Sequence, residues 1–106
     1  MSTHVLDAAR GVPAAGVEVA LYYVPNGAQV STATTDADGR AGALLPNAAG
    51  PGDYRIVFGT GAYFAATGQQ GFYPEVAITF TVTDPDAHYH VPLLLSPYSY
   101  STYRGS

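Results

Sequence analysis

Apolar and polar residues alternate with a period of two along most of this chain, a pattern of strands rather than helices. Val17, Val19, Leu21 and Tyr23 form an apolar face over residues 17–24. Tyr54, Ile56 and Phe58 form another over 54–58, and Val76, Ile78, Phe80 and Val82 a third over 76–83. The C-terminal stretch 88–106 divides in the same way. Tyr89, Val91, Leu93 and Leu95 point to one side and are expected to be buried; His88, His90, Pro92 and Leu94 point to the other. A turn at Ser96-Pro97 then leads into a Tyr/Ser/Thr-rich strand that runs out to Arg104 and Ser106.

Shorter signals fill the gaps. Thr3-His4-Val5-Leu6-Asp7 reads as a strand with His4 and Leu6 on one face and Thr3 and Val5 on the other. Pro25-Asn26-Gly27 predicts a hairpin, because Asn and Gly both tolerate positive φ, with the β-branched run 29–35 as the returning strand. Asp36-Ala37-Asp38-Gly39 is a tight turn, and Arg40 opens a further short strand that ends near Leu44-Leu45. Residues 47–53 form a Gly/Pro-rich loop. Residues 61–68 are the one place for a helix, bracketed by glycines and too short to hold without packing. Turn signals recur about every ten residues, so the fold expected is all-β: a two-sheet antiparallel sandwich of about eight strands with one short helix.

Composition narrows this picture. At 106 residues the chain is a single domain, 1–106, with one modest core. It is 47% hydrophobic and 11% charged, well outside the disordered regime and short of the polar surface that keeps a small domain monomeric, so an oligomer is expected. There is no lysine, and Arg10, Arg40, Arg55 and Arg104 stand against a net charge of -4. No basic patch exists to neutralise phosphates, which argues against nucleic acid and anionic membrane surfaces. No apolar run reaches spanning length and no charged-then-apolar leader pattern opens the chain, so a cytoplasmic protein is expected. The absence of cysteine removes disulfides, thiolate chemistry and thiolate zinc sites together.

Candidate chemistry centres on three histidines, His4, His88 and His90, which fall in the first and last parts of the sandwich. Those strands can be neighbours, and the rings can then converge. Taken singly, a histidine near a terminus is more simply an exposed side chain. A three-imidazole zinc site is one reading, although His-x-His alone is a weak motif and no carboxylate reinforces it. General acid–base chemistry is another, since imidazole titrates near neutrality. No Gly-x-Ser-x-Gly elbow is present, which leaves a histidine-activated water with an arginine holding negative charge. Arg40 and Arg104 are the candidates, each with a plain surface arginine as the alternative. Asp36-x-Asp38-Gly39 opens like a calcium loop but lacks the later ligands, so it is read as a turn.

Several segments are more specific than this chemistry. Leu94-Leu-Ser-Pro-Tyr-Ser-Tyr-Ser-Thr102 resembles the C-terminal strand region of transthyretin. His88-Tyr-His-Val-Pro-Leu-Leu-Leu95 and the terminal Tyr103-Arg-Gly-Ser106 resemble the 5-hydroxyisourate hydrolases, the transthyretin-related enzymes of urate breakdown. The resemblance extends over the whole chain through Thr3-His-Val-Leu-Asp7, Thr35-Asp-x-Asp-Gly-Arg40, Gly52-Asp-Tyr-Arg55 and Phe72-Tyr-Pro-Glu75. It implies a prealbumin-like sandwich assembled as a homotetramer, a dimer of dimers, with active sites in the channel between dimers. It further implies hydrolysis of the small-molecule substrate 5-hydroxyisourate to 2-oxo-4-hydroxy-4-carboxy-5-ureidoimidazoline, without metal or cofactor. The implied catalytic residues are His4, Arg40 and His90; Arg104, Ser106, Tyr103 and His88 would bind substrate. A carrier of small aromatic ligands is the main rival, since fold alone does not settle function. A carrier, however, has no reason to line its channel with two histidines, an arginine and an anchored tail.

Overall fold

A computed structural model describes residues 1–47 and 49–106 of the chain. Among them the order of elements is β1 (Thr3–Asp7), β2 (Val12–Pro13), β3 (Glu18–Tyr23), β4 (Ala28–Thr34), β5 (Arg40–Ala41), β6 (Gly52–Phe58), α1 (Thr60–Ala66), β7 (Val76–Val82), β8 (Leu93–Ser96) and β9 (Ser99–Thr102). The strands form two sheets. One has the order β4-β3-β6-β7; the other has the order β2-β1-β8-β9, with β5 also paired to β1. The loop expected over 47–53 includes Ala48, which lies outside the described residues.

The period-two pattern decides which faces meet. Val19 and Leu21 of β3, Tyr54, Ile56 and Phe58 of β6, Val5 of β1 and Leu93 and Leu95 of β8 are all buried between the sheets. Full burial of each such aliphatic side chain is worth about 1.5–3 kcal/mol. Ile78 and Phe80 are only half-buried. They lie on β7, an edge strand, and look into a crevice between that edge and the C-terminal tail.

Several local details depart from the alternation. The sandwich is antiparallel except where β1 runs parallel to β8, in the register Val5↔Leu93. Residues 88–92 do not continue β8 as a regular strand. Ser2 bridges His90 in a parallel pairing, but Pro92 has no N–H to offer the ladder, and β8 begins only at Leu93. Pro92, placed by alternation on the outer face, is buried as well. The 25–27 hairpin is closed by a four-residue turn in which only Gly27 takes positive φ, +68°. Asn26 contributes through its side chain, whose Oδ1 accepts from Ala28 N at 2.9 Å. The strand opened by Arg40 stops at Ala41, because Ala43 takes φ +54° and breaks the extended backbone.

The helix spans Thr60–Ala66 and buries Thr60, Tyr63 and Phe64 against the sheets. Its Tyr63 Oη donates to Asp7 Oδ2 at 2.7 Å, and Gln69 Nε2 donates to the same oxygen at 3.0 Å. Asp7 is fully buried, and a buried carboxylate is tolerated only when its oxygens are supplied with donors. Arg10 N supplies a third, to Oδ1 at 3.0 Å. Burial alone pushes the Asp7 carboxyl up, but these three hydrogen bonds with the Arg10 charge outweigh it and hold it below its ordinary value. The strand pattern gave no sign of this cluster.

Candidate active site

The site begins with the turn before β5. Asp36 Oδ1 accepts from Asp38 N at 2.9 Å and Arg40 N at 3.0 Å, so the carboxylate organises the turn rather than a cation. Gly39 has φ +76°, and a Cβ there would overlap the carbonyl oxygen of Val5. The missing side chain lets Gly39 O accept from Val5 N at 2.8 Å, which locks the turn onto β1. Arg40 then falls opposite His4 in the antiparallel β1–β5 register.

The turn also sets the state of His4. His4 Nε2 lies 2.9 Å from the Asp38 carbonyl oxygen. A carbonyl can only accept, so Nε2 carries the proton and the neutral ring has its lone pair on Nδ1.

His90 is held from both sides. Ser2 N donates to Tyr89 O at 2.9 Å and Val91 N donates to Ser2 O at 3.0 Å, tying the segment to the start of β1. The buried Thr3 adds a third tie, Oγ1 to Val91 O at 2.6 Å. On the far side Gly105 N donates to His90 O at 2.9 Å, and a Cβ at Gly105 would overlap Cδ2 of the His90 ring. Tyr89 points inward, where its hydroxyl accepts from Thr83 N and Asp84 N, each at 3.1 Å. Its neighbours His88 and His90 therefore point outward, with ring centroids 6.5 Å apart and planes within 13° of parallel.

Burial holds the His90 imidazole below its ordinary pKa. The Arg40 charge adds to this and outweighs the opposing effect of a hydrogen bond to the Ser2 backbone, and the neighbouring His88 and His4 lower it further. A half-buried imidazole kept neutral beside a guanidinium is suited to accept a proton, and the guanidinium to face developing negative charge.

His4, Arg40, His88 and His90 thus come together on the outer face of the five-stranded sheet. The tail is placed differently. The Arg104 guanidinium lies 4.8 Å over the centroid of the Tyr89 ring, a cation–π contact. Arg104 and Tyr103 line the crevice beside Ile78 and Phe80, about 320 Å³ in volume, which His90 also borders. Ser106 is exposed. Among the described residues, no group of three His, Asp or Glu side chains is arranged to hold a metal ion. Two participants escaped sequence reasoning. Ser2 sits two residues before His4 and so on its face, a signal the period of two carries; the Asp38 carbonyl is backbone and left no sequence signal.

The chain is similar to known proteins in both sequence and fold. A sequence model of the HIUase/Transthyretin family matches residues 1–105. The chain is 50% identical over 109 residues to a 5-hydroxyisourate hydrolase of Salmonella dublin, covering all of this chain and 80% of that protein. Its fold is similar to that of 5-hydroxyisourate hydrolase from Klebsiella pneumoniae, with a TM-score of 0.89 and 36% identity over 99% of this chain and 91% of that one. Sea bream transthyretin, solved in complex with thyroxine, is similar with a TM-score of 0.87 and 33% identity, over 98% of this chain and 92% of that one.

Proposed function

This chain belongs to the HIUase/Transthyretin family, and on that premise we propose that it hydrolyses 5-hydroxyisourate to 2-oxo-4-hydroxy-4-carboxy-5-ureidoimidazoline in urate breakdown. The observation that carries this reading is the register pairing of His4 with Arg40 on the face that also bears His90. A carrier of aromatic ligands needs no such set of proton-accepting and anion-stabilising groups.

In the proposed mechanism His90 is the general base. Burial and Arg40 keep it neutral, so its lone pair is available to take a proton from the water that attacks the ring carbonyl. Arg40 stabilises the negative charge that develops on the carbonyl oxygen. His4, fixed by Asp38 O with its proton on Nε2, orients the substrate through the rest of its ring. His88 and the tail residues Tyr103, Arg104 and Ser106 form the substrate-binding rim, since Gly105 sets the tail beside His90. The chain's own residues supply every proton-transfer and charge-stabilising group this scheme needs, so no metal or organic cofactor takes part in it.

The reading extends to a homotetramer built as a dimer of dimers. Two observations support it: among the described residues β7 and β9 end their sheets with unpaired edges, and Phe72, Tyr98, Tyr100 and Tyr103 are exposed large aromatics. Light scattering on the purified protein tests the assembly, with four chains per particle expected.

For the activity, 5-hydroxyisourate generated fresh from urate is followed with and without the protein, in the presence and absence of EDTA. Accelerated, EDTA-insensitive decay to the ureidoimidazoline is expected. No acceleration over the spontaneous rate, or acceleration lost to EDTA and restored by zinc, contradicts the reading.

A further inference from the structure

We propose that the hydroxyl of Ser2 is a positioning group and proton relay that joins His90 to the solvent-exposed His88. The proposal rests on the hydrolytic reading, with His90 as base.

The geometry leaves the serine little freedom. Its backbone is bonded to Tyr89 O and to Val91 N, the two residues that flank His90. Its Oγ lies 2.8 Å from Nδ1 of His90 and 3.4 Å from Nε2 of His88. With 6.5 Å between their centroids and nearly parallel planes, the two rings stand apart, and the hydroxyl sits between their nitrogens. A serine hydroxyl has one proton and two lone pairs, so it accepts from one ring while donating to the other. Only one direction suits a base. Nδ1–H of His90 donates to Oγ, Oγ–H donates to Nε2 of His88, and the lone pair of His90 is left on Nε2.

The proton then has a path. As the water oxygen bonds to the ring carbonyl carbon, Nε2 of His90 takes one water proton. The Nδ1 proton passes to Ser2 Oγ, and the serine's own proton passes to Nε2 of His88. His90 ends neutral in its other tautomer, Ser2 is unchanged, and the positive charge rests on His88. When the ring C–N bond breaks, the same steps in reverse return the proton to Nε2 of His90 and from there to the departing nitrogen.

The charged surroundings explain why the charge should leave His90. That ring is half-buried and faces Arg40 from β5 and His4 from β1. From the tail, Gly105 pairs with His90 through its backbone, the terminal carboxylate of Ser106 follows one residue on, and Arg104 is turned onto Tyr89. His88 is exposed and shares a polar groove with Asp86 and Met1, where a carboxylate is at hand and water solvates the imidazolium. A site that resists charge is thereby linked to one that accepts it.

The test compares Ser2→Ala, Ser2→Thr and His88→Phe with the wild-type full chain. Ser2→Ala keeps both backbone bonds, so it should fold; thermal unfolding checks this. Expected is a fall in kcat of about 10–100-fold in Ser2→Ala and His88→Phe, with recovery in Ser2→Thr; in Ser2→Ala, which leaves the binding rim intact, KM should change less than about 2-fold. Nitrogen-15 NMR of the His90 ring supplies a readout independent of turnover: the wild type should carry its proton on Nδ1, and Ser2→Ala should shift protonation toward Nε2. An active wild type with Ser2→Ala matching its kcat and pH profile overturns the relay and leaves the hydrolytic reading intact. A His90 ring protonated on Nε2 in the wild type overturns the relay too. An inactive wild type overturns the hydrolytic reading itself, and the relay with it.

Discussion

His4 and Arg40 are direct cross-strand partners in the antiparallel β1–β5 pair, although their strands lie far apart in sequence. The pairing depends on one glycine. Gly39 approaches Val5 so closely that no side chain fits, and the residue after it is the arginine. A tight turn therefore sets the arginine opposite the histidine in the register and, through the Asp38 carbonyl, fixes where that imidazole carries its proton.

Removing the Arg40 charge should affect rate and pH dependence together. Arg40 helps hold His90 below its ordinary pKa, so in Arg40→Gln the His90 pKa rises. A base must be unprotonated to act. The acid limb of kcat/KM should therefore move to higher pH, beneath a rate loss of about 10²–10³-fold. A pH–rate profile of the variant checks both, and an unmoved acid limb would show that the arginine does not act on His90.

Gly105→Ala should damage catalysis more than folding. The added methyl must displace the His90 ring, while the Gly105 N–H to His90 O bond can persist. A kcat loss of about 10-fold or more is expected, since small misplacements of reacting groups are costly. Parallel thermal unfolding should show only a modest shift. Wild-type turnover in this variant would mean that the ring position beside the tail is unimportant.

The Asp7 cluster predicts an acid-dependent stability. Its carboxyl is held below its ordinary value in the folded chain, so it contributes stability above the unfolded value of about 4 and loses it as pH falls through the folded value. Tyr63→Phe removes the 2.7 Å donor and should cost about 1.5–3 kcal/mol near neutrality. The gap between variant and wild type should narrow below about pH 4. Denaturant unfolding at pH 7 and pH 3 measures it; an equal gap at both would place the effect in packing rather than in the carboxylate.

The alternation of residues was enough to find the sandwich, because burial between two sheets demands a period of two. It correctly sent Tyr89, Val91, Leu93 and Leu95 inward, and with them His88 and His90 outward. It did not reveal that β1 and β8 run parallel, since strand direction leaves no mark on hydrophobic pattern. Nor did it reveal Asp7, which stands at an inward position but carries a polar side chain whose donors come from a helix and a loop far along the sequence. The strand pairings put the expected residues His4, Arg40, His88 and His90 on neighbouring positions of one sheet. The contact of Ser2 with His90 needed the register itself, and the stacking of Arg104 on Tyr89 needed the path of the tail.

The most direct test of the account is the decay of fresh 5-hydroxyisourate in the presence of wild-type protein and of His90→Ala, side by side at neutral pH. The account predicts rapid conversion to the ureidoimidazoline by the wild type and loss of at least about 10²-fold in the variant. Equal rates from the two folded proteins would contradict it, because the half-buried imidazole beside Arg40 would then have no part in the reaction.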